Sequence, residues 1–426
     1  METFIKELAY VCFVKESIQK WNIWWDNPGS LNALVGVERL FLSDLLKNLE
    51  LPHIKDIIGI RRSGKTVLLY QVIFNLIKQG VKPKNILYLN FDDPQLKELE
   101  EAIKNSLELN PEISHVFLDE IQNINEWEKT IRVYYDRKKF KQVFVSGSSA
   151  SLISRDIGKT LTGRHITKIV TPFSFKEFLN YHNIENPEQI SKREKVTHFL
   201  EIYLKKGGFP ETIDKDEFVS KTILVDLYND ILFRDIVSRF EADTETVKKI
   251  GYYLMTNISS QFSYNTIAKA LNLHYDTVKK YVPFFEEVFL LFKLNEFSWK
   301  IKTQTQKMKA YSVDTGLRNA VSFKFSDDSG KLAENTVLIE LKRRKTDVYF
   351  WKEKREIDFI TKENNELTAI NVTYTNQIPK REIEGLLEFK QKFKKTKKLV
   401  IITKDTEKKE KGINFIPLWK WLITKQ

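Results

Sequence analysis

Gly59-Ile-Arg-Arg-Ser-Gly64-Lys65-Thr66 constrains this chain more than any other stretch. It matches G-x-x-x-x-G-K-[ST], which cradles phosphate only where a strand feeds it and a helix leaves it. Both contexts are readable. Asp56-Ile-Ile-Gly-Ile60 is a short apolar run of strand character, and Val67–Gln79 carries Val67, Leu68, Tyr70, Ile73 and Leu76 at helical spacing. The glycines permit turns that aim successive N–H groups at phosphate oxygens, and the helix N-terminus adds its positive end. Gly59, Arg61, Arg62, Ser63, Gly64, Lys65, Thr66 and Val67 are therefore candidate ATP-binding residues. Lys65 is expected at the β- and γ-phosphates and the Thr66 hydroxyl on Mg²⁺. A purely structural Gly-rich turn is the alternative, and the flanking strand and helix weigh against it.

Further apolar runs follow at Asn85–Phe91, His115–Asp119 and Gln142–Ser146, separated by amphipathic stretches. Strands alternating with helices predict an α/β fold with a parallel, doubly wound sheet. The run at His115 ends in Asp119-Glu120, the Walker B arrangement. Asp119 is expected to hold Mg²⁺ and Glu120 to polarise the attacking water. The next run ends at Ser146, placed either to sense the γ-phosphate or, with its neighbours, to cap a helix over Ala150–Arg155. Arg164 is the first candidate to supply positive charge to the transferred phosphoryl group, beside Lys65 and Glu120, and Arg234 is the second. A surface ion pair is the alternative for each.

The rest of the composition narrows the class. With 426 residues, several domains are expected; 42% hydrophobic and 30% charged residues exclude wholesale disorder. The single cysteine, Cys12, excludes an internal disulfide framework and a Cys-based zinc site. No run of about 18 apolar residues suggests a membrane span. Glu2 and Glu7, without a small-residue cleavage site, argue against a secretory signal, so a cytoplasmic protein is expected. The net charge is +12, yet residues 301–426 alone hold 28 Lys+Arg against 17 Asp+Glu. That asymmetry predicts a polyanionic partner on the C-terminal part, nucleic acid first and DNA in preference. A solvated Lys-rich face, as over Phe389–Lys398, is the alternative.

Beyond Pro172 the pattern turns helical, at Phe173–Asn180, Lys192–Lys206 and Lys221–Arg239. Phe262–Tyr281 reads helix–turn–helix: Ser263 caps, Ile267, Ala268 and Leu271 face inward, and Val278, Val282 and Phe285 line the second helix. Tyr275, Thr277, Lys279 and Lys280 fall outside, where a DNA reader meets phosphates and base edges. Strands are expected at Tyr349–Trp351, Glu356–Ile360, Leu367–Tyr374 and Lys398–Thr403, with helices at Leu332–Lys345 and Arg381–Lys394.

The phosphate loop, Asn90-Phe-Asp-Asp-Pro94, Leu118-Asp-Glu-Ile-Gln122, Ser146-Gly-Ser-Ser-Ala150, Leu161-Thr-Gly-Arg164, Gly207-Gly-Phe-Pro-Glu211 and Val313-Asp-Thr-Gly-Leu317 together resemble a family of archaeal and bacterial AAA+-type ATPases with a C-terminal domain of unknown function. The resemblance runs from about Asn32 to Thr403. After a short N-terminal segment (1–34) that carries Trp21, Trp24 and Trp25, it implies an AAA+-like core (35–175), a helical lid (176–245), a winged-helix module (246–300) and a restriction-endonuclease-like domain (301–426), the basic part of the chain. Such a nuclease site needs acids that hold Mg²⁺ and a lysine near the attacking water. Glu334 and Asp358 match the first two acids, but Asn371 stands where Glu is expected and Thr373 where Lys is expected. The fold is thus expected without nuclease activity. The expected function is Mg²⁺-dependent ATP hydrolysis driving a conformational change in a nucleic-acid-binding protein, acting through residues 246–426, with a homo-oligomer open. A nucleotide-gated protein-binding adaptor and an ATP-regulated nuclease are the alternatives.

Overall fold

The computed structural model describes residues 2–150, 163–298, 307–322, 328–375 and 377–424, with backbone alone for residues 2–10. The chain divides into two compact units, Met1–Val170 and Thr171–Gln426.

The first unit is built on a five-stranded sheet in the order β2-β3-β4-β1-β5. The strands are β1 (Ile54–Ile58), β2 (Ile86–Asn90), β3 (His115–Asp119), β4 (Gln142–Gly147) and β5 (His165–Ile169). Every pairing is parallel. All residues of β1 and β3 are buried, which is why these strands read as unbroken apolar runs rather than alternating ones. Helices α1 (Glu2–Trp21) and α2 (Phe41–Lys47) precede the sheet; α3 (Lys65–Lys78), α4 (Leu99–Leu109) and α5 (Trp127–Asp136) are the crossovers. The helix expected from Ala150 runs into residues 151–162, outside the described residues.

Strand β5 escapes the sequence pattern because it alternates polar and apolar residues. It is held instead by Asp56 of β1, whose carboxylate meets His165 Nδ1 at 2.6 Å and accepts from Thr167 Oγ1 at 3.0 Å. That hydrogen bond raises the pKa of His165. The N-terminal segment covers the edge strand β2. Asn22 exchanges two hydrogen bonds with the Tyr88 backbone, 2.7 and 2.8 Å long, and Trp25 Nε1 donates to Ile86 O at 2.8 Å. Trp24 and Leu31 are fully buried in one core with Leu68, Ile73 and Tyr88. An edge that would otherwise present unpaired backbone groups is thereby closed.

In the second unit, α6 (Phe175–Tyr181) opens with a capping box between Ser174 and Glu177, followed by α7 (Arg193–Lys206) and α8 (Glu217–Asp230). The helix expected over Lys221–Arg239 is interrupted: Ile231–Val237 winds as a π-helix. Asp314 caps α12 (Thr315–Val321) and also accepts from Gly208 N at 2.7 Å. A Cβ on Gly316 would lie 1.8 Å from Lys206 O, so this close approach requires glycine.

Next come α9 (Thr244–Thr256), β6 (Gln261–Phe262), α10 (Tyr264–Leu271), α11 (Tyr275–Glu287), β7 (Leu291–Asn295) and β8 (Met308–Ser312). The strands form an antiparallel sheet in the order β6-β8-β7. This corrects the boundary expected at 300, which would cut β8 from its hydrogen-bonded partners. The last sheet, β13-β14-β12-β11-β10-β9, carries β9 (Asp347–Lys352), β10 (Glu356–Glu363), β11 (Glu366–Thr373), β12 (Thr396–Thr403), β13 (Lys408–Glu410) and β14 (Ile413–Pro417). Helices α13 (Ser329–Arg343), α14 (Lys380–Lys392) and α15 (Leu418–Ile423) pack with it. Among the described residues no helix is long and apolar enough to cross a membrane.

Candidate functional site

Strand β1 runs straight into Gly59, and α3 begins at Lys65, so the loop sits at the carboxyl end of the parallel sheet, where α/β folds bind ligands. Gly64 has φ +91°, and a Cβ there would lie 2.8 Å from Arg39 Nη1. Arg39, only 1% exposed, braces the loop from behind: Nη1 donates to Ser63 O at 2.5 Å. Its own backbone N–H donates to Gln71 Oε1 at 3.0 Å, which ties it to α3. The Lys65 ammonium donates to Gly59 O at 3.1 Å and Ile60 O at 3.2 Å. It also lies 3.8 Å from Glu120 Oε1.

Because β4 lies between β1 and β3, the ends of all three strands meet beside this loop. Thr66 Oγ1 donates to Asp119 Oδ2 at 2.6 Å, and Tyr88 OH donates to the same oxygen at 2.7 Å. Ser146 Oγ donates to Asp119 Oδ1. Burial raises the pKa of Asp119 and Glu120 pushes it the same way, while the hydroxyls of Ser146, Thr66 and Tyr88 pull it back. Glu120 follows in the left-handed region at φ +51°, a conformation that costs a non-glycine residue about 1–3 kcal/mol and that clusters at functional sites. Its carboxylate accepts from Gln122 Nε2, which also donates to Ser148 Oγ at 3.3 Å.

These residues fit a magnesium–nucleotide. Ser63 Oγ is buried without a hydrogen-bond partner among the described residues, at the start of a helix whose first N–H groups are free to meet an anion. Thr66 and Asp119 offer hard oxygen donors side by side, the set that Mg²⁺ takes.

The structure thus brings together Lys65, Thr66, Asp119, Glu120 and Ser146 around the loop Gly59–Val67. It does not bring Arg164 there. Ile54 N donates to Arg164 O, so Arg164 sits at the amino end of β1, a strand length from Gly59, roughly 15 Å. Its side chain pairs with Asp136 at 3.5 Å. Arg164 as a catalytic group on its own subunit's nucleotide is therefore corrected: parallel strands carry the loop and this arginine to opposite ends of the sheet. Arg234 lies in the π-helical segment of the second unit. Arg39, Tyr88 and Gln122 were missed. Gln122 ends the string Leu118-Asp-Glu-Ile-Gln122, whereas Arg39 and Tyr88 carry no motif.

Two helices, α10 and α11, form over the expected helix–turn–helix. Ser263 Oγ accepts from Thr266 N at 3.1 Å; Ile267, Ala268, Val278, Val282 and Phe285 are buried; Tyr275, Lys279 and Lys280 are exposed. Leu271 and Thr277 are each half-buried.

The nuclease-like residues also converge, around a group the sequence did not signal. Lys309 of β8, 2% exposed, places its ammonium 3.0 Å from Glu334, 2.7 Å from Glu356 and 3.7 Å from Asp358. Tyr311 OH donates to Glu334 at 2.7 Å. Asn371 Oδ1 accepts from Asp358 N at 3.2 Å, and its Nδ2 donates to Glu382 at 2.7 Å. Thr373 Oγ1 is buried with no hydrogen-bond partner among the described residues. Burial first, then Glu334, drives the Asp358 pKa well up, and Lys309 opposes them. Among the described residues no three His, Cys, Asp or Glu side chains are arranged to hold a metal ion.

A parallel sheet of this order, with a phosphate loop after β1 and an acidic pair after β3, defines a P-loop core of the AAA class. A family profile described as an AAA domain matches residues 52–179. Two described as domains of unknown function, DUF8612 and DUF4143, match residues 197–328 and 329–421. Protein MJ1544 of Methanocaldococcus jannaschii is 32% identical over 403 residues, covering 87% of this chain and 88% of its own. An uncharacterized protein of Haemophilus influenzae is 31% identical over 400 residues, covering 90% of this chain and 97% of its own. The chain belongs to the same AAA-domain family as these two proteins. The ORC1 protein of Aeropyrum pernix, solved in complex with DNA, aligns with 70% of this chain and 92% of its own at 10% identity and a TM-score of 0.31, too low to carry weight here.

Proposed function

We propose that the chain is a Mg²⁺-dependent ATPase whose turnover drives a conformational change, and that it holds nucleic acid, DNA in preference, on residues 246–426. The observation that supports the ATPase reading best is the convergence of Lys65, Thr66, Asp119 and Glu120 at one end of the parallel sheet. In this reading the N–H groups of Gly59–Val67 and the Ser63 hydroxyl cradle the phosphates, and Lys65 neutralises the β- and γ-oxygens. Mg²⁺, when bound, is held by Thr66 and Asp119 and supplies positive charge to the phosphate oxygens. Glu120 orients the attacking water and takes its proton as the γ-phosphoryl group passes from ADP to that water. Ser146, bonded to Asp119, is placed to couple the phosphate end to β4. Arg164 serves a neighbouring copy's nucleotide in this reading, which requires a homo-oligomer.

The nucleic-acid part rests on the charge of residues 301–426 and on the order α9–β6–α10–α11–β7–β8, which fits a winged helix with Tyr275, Lys279 and Lys280 outward. ATPase rate measured with DNA, with RNA and with neither tests it. Stimulation by DNA is expected; a rate indifferent to all nucleic acids removes this partner and favours the adaptor.

The restriction-endonuclease-like domain is proposed to lack cleavage. Lys309 already neutralises the carboxylates that a metal would share, and Asn371 is engaged at both ends. Incubation of DNA and RNA with Mg²⁺ or Mn²⁺ is expected to leave them intact. Cleavage that disappears in Asp358→Ala overturns this.

A further inference from the structure

The sheet β11-β10-β9 and the end of α14 enclose a cavity of about 510 Å³, within the usual range for ligand pockets, roughly 300–1,000 Å³. Its wall combines two chemistries. Phe297, Tyr349 and Phe393 are each half-buried, and they form one contiguous aromatic group: Phe297 lies 5.9 Å from Tyr349 and 5.3 Å from Phe393. Around them stand Lys362, Lys394 and Lys395, all exposed, with no ion-pair partner among the described residues. A fourth lysine, Lys392, is paired with Glu353, and among the described residues no acidic one lines the cavity. The cavity around Glu334, Glu356, Asp358 and Glu382 differs: there Lys352, Lys354, Arg355 and Arg381 stand among the acids, so its charge is mixed rather than one-sided.

The three rings pack inward on the core around Trp351 and Phe389 and keep part of their surface open in the concavity, which a merely solvated lysine face does not require. Apolar ring surface next to unpaired ammonium groups matches a ligand that carries a flat π-face and an anion within one residue's length. A nucleotide is such a ligand. In a duplex the bases are stacked on each other and their faces are unavailable; in a single strand they are not.

We propose that this cavity binds unpaired nucleotides of single-stranded DNA, with bases against Phe297, Tyr349 and Phe393 and phosphates on Lys362, Lys394 and Lys395. The proposal rests on the nucleic-acid reading above and narrows it to one place and to single strands.

The test is fluorescence anisotropy of the full chain with a labelled single-stranded DNA, its duplex, and RNA of the same sequence, across a salt series. The single strand binds about tenfold or more tighter than the duplex. Lys362→Glu/Lys395→Glu weakens it about tenfold or more and flattens the salt dependence, because each phosphate contact contributes about 0.7 to the log–log slope on single strands. Tyr349→Leu weakens binding about tenfold and leaves the slope unchanged. Thermal melts confirm that each variant is folded. Several results overturn the site while leaving the nucleic-acid reading intact: single-strand binding that survives the Lys362/Lys395 reversal, duplex bound as tightly as the single strand, or an equal loss from Lys408→Glu/Lys409→Glu outside the cavity. RNA bound more tightly than DNA overturns the choice of DNA. A wild-type chain that binds none of the three overturns both proposals.

Discussion

Lys65→Ala loses nucleotide affinity, whereas Glu120→Gln keeps it and loses turnover. The two side chains lie 3.8 Å apart, yet the reading gives them different work. The Lys65 ammonium is nearly buried inside the loop, where a charge-assisted hydrogen bond to phosphate contributes about 1.5–3 kcal/mol, so its loss weakens binding about 10- to 150-fold. Glu120 is not a phosphate ligand in that scheme; it accepts a proton from water. Removing a general base costs about 10²–10⁴ in rate. Gln retains the shape and the hydrogen bond with Gln122, so the left-handed turn at position 120 is preserved. Calorimetric titration with a non-hydrolysable nucleotide separates the first effect, and phosphate release the second. Wild-type turnover in folded Glu120→Gln would remove the base assignment, and wild-type affinity in Lys65→Ala would remove the phosphate contact.

What the sequence makes legible follows from how each element is buried. Strands β1 and β3 are enclosed on both faces, so they read as continuous apolar runs, and the loop and the acidic pair at their ends follow. Strand β5 is held by His165 and Thr167 on Asp56, a polar device with no periodic trace. Missing β5 is also what misplaces Arg164. Once β5 is known to run parallel to β1, the residue just before it must lie at the amino end of the sheet, far from the phosphates. Likewise the one lysine of β8, Lys309, looks solvated in the sequence. Only the fold shows that Lys309 points among three acids drawn from α13 and β10.

That placement makes Lys309→Met the most damaging single change expected in the second unit. The ammonium faces Glu334, Glu356 and Asp358, and its removal leaves carboxylates crowded together with no compensating charge. Breaking a buried ion pair from one side costs about 3–5 kcal/mol, which lowers the melting temperature by roughly 6–20 °C in a unit of this size. The pH dependence follows from the two shifted acids. Although burial opposes it, Lys309 holds Glu356 below its ordinary pKa, so this group adds stability above the unfolded value that is lost as pH falls. Asp358 is raised by burial and by Glu334, so its ionisation already costs stability as pH rises, and Lys309 limits that cost. Without the lysine both effects turn against the fold at neutral pH and fade in acid, as the carboxyls take protons in the folded and unfolded chain alike. The gap between wild type and Lys309→Met is therefore widest near neutrality and closes toward about pH 4. Adding Glu334→Gln and Asp358→Asn to Lys309→Met restores most of the lost stability, because two of the three acids are then neutral and Glu356 keeps Lys352 at 2.9 Å. Thermal melts across pH measure all three chains, and an unchanged melting temperature in Lys309→Met would refute the view that this ammonium neutralises the three carboxylates.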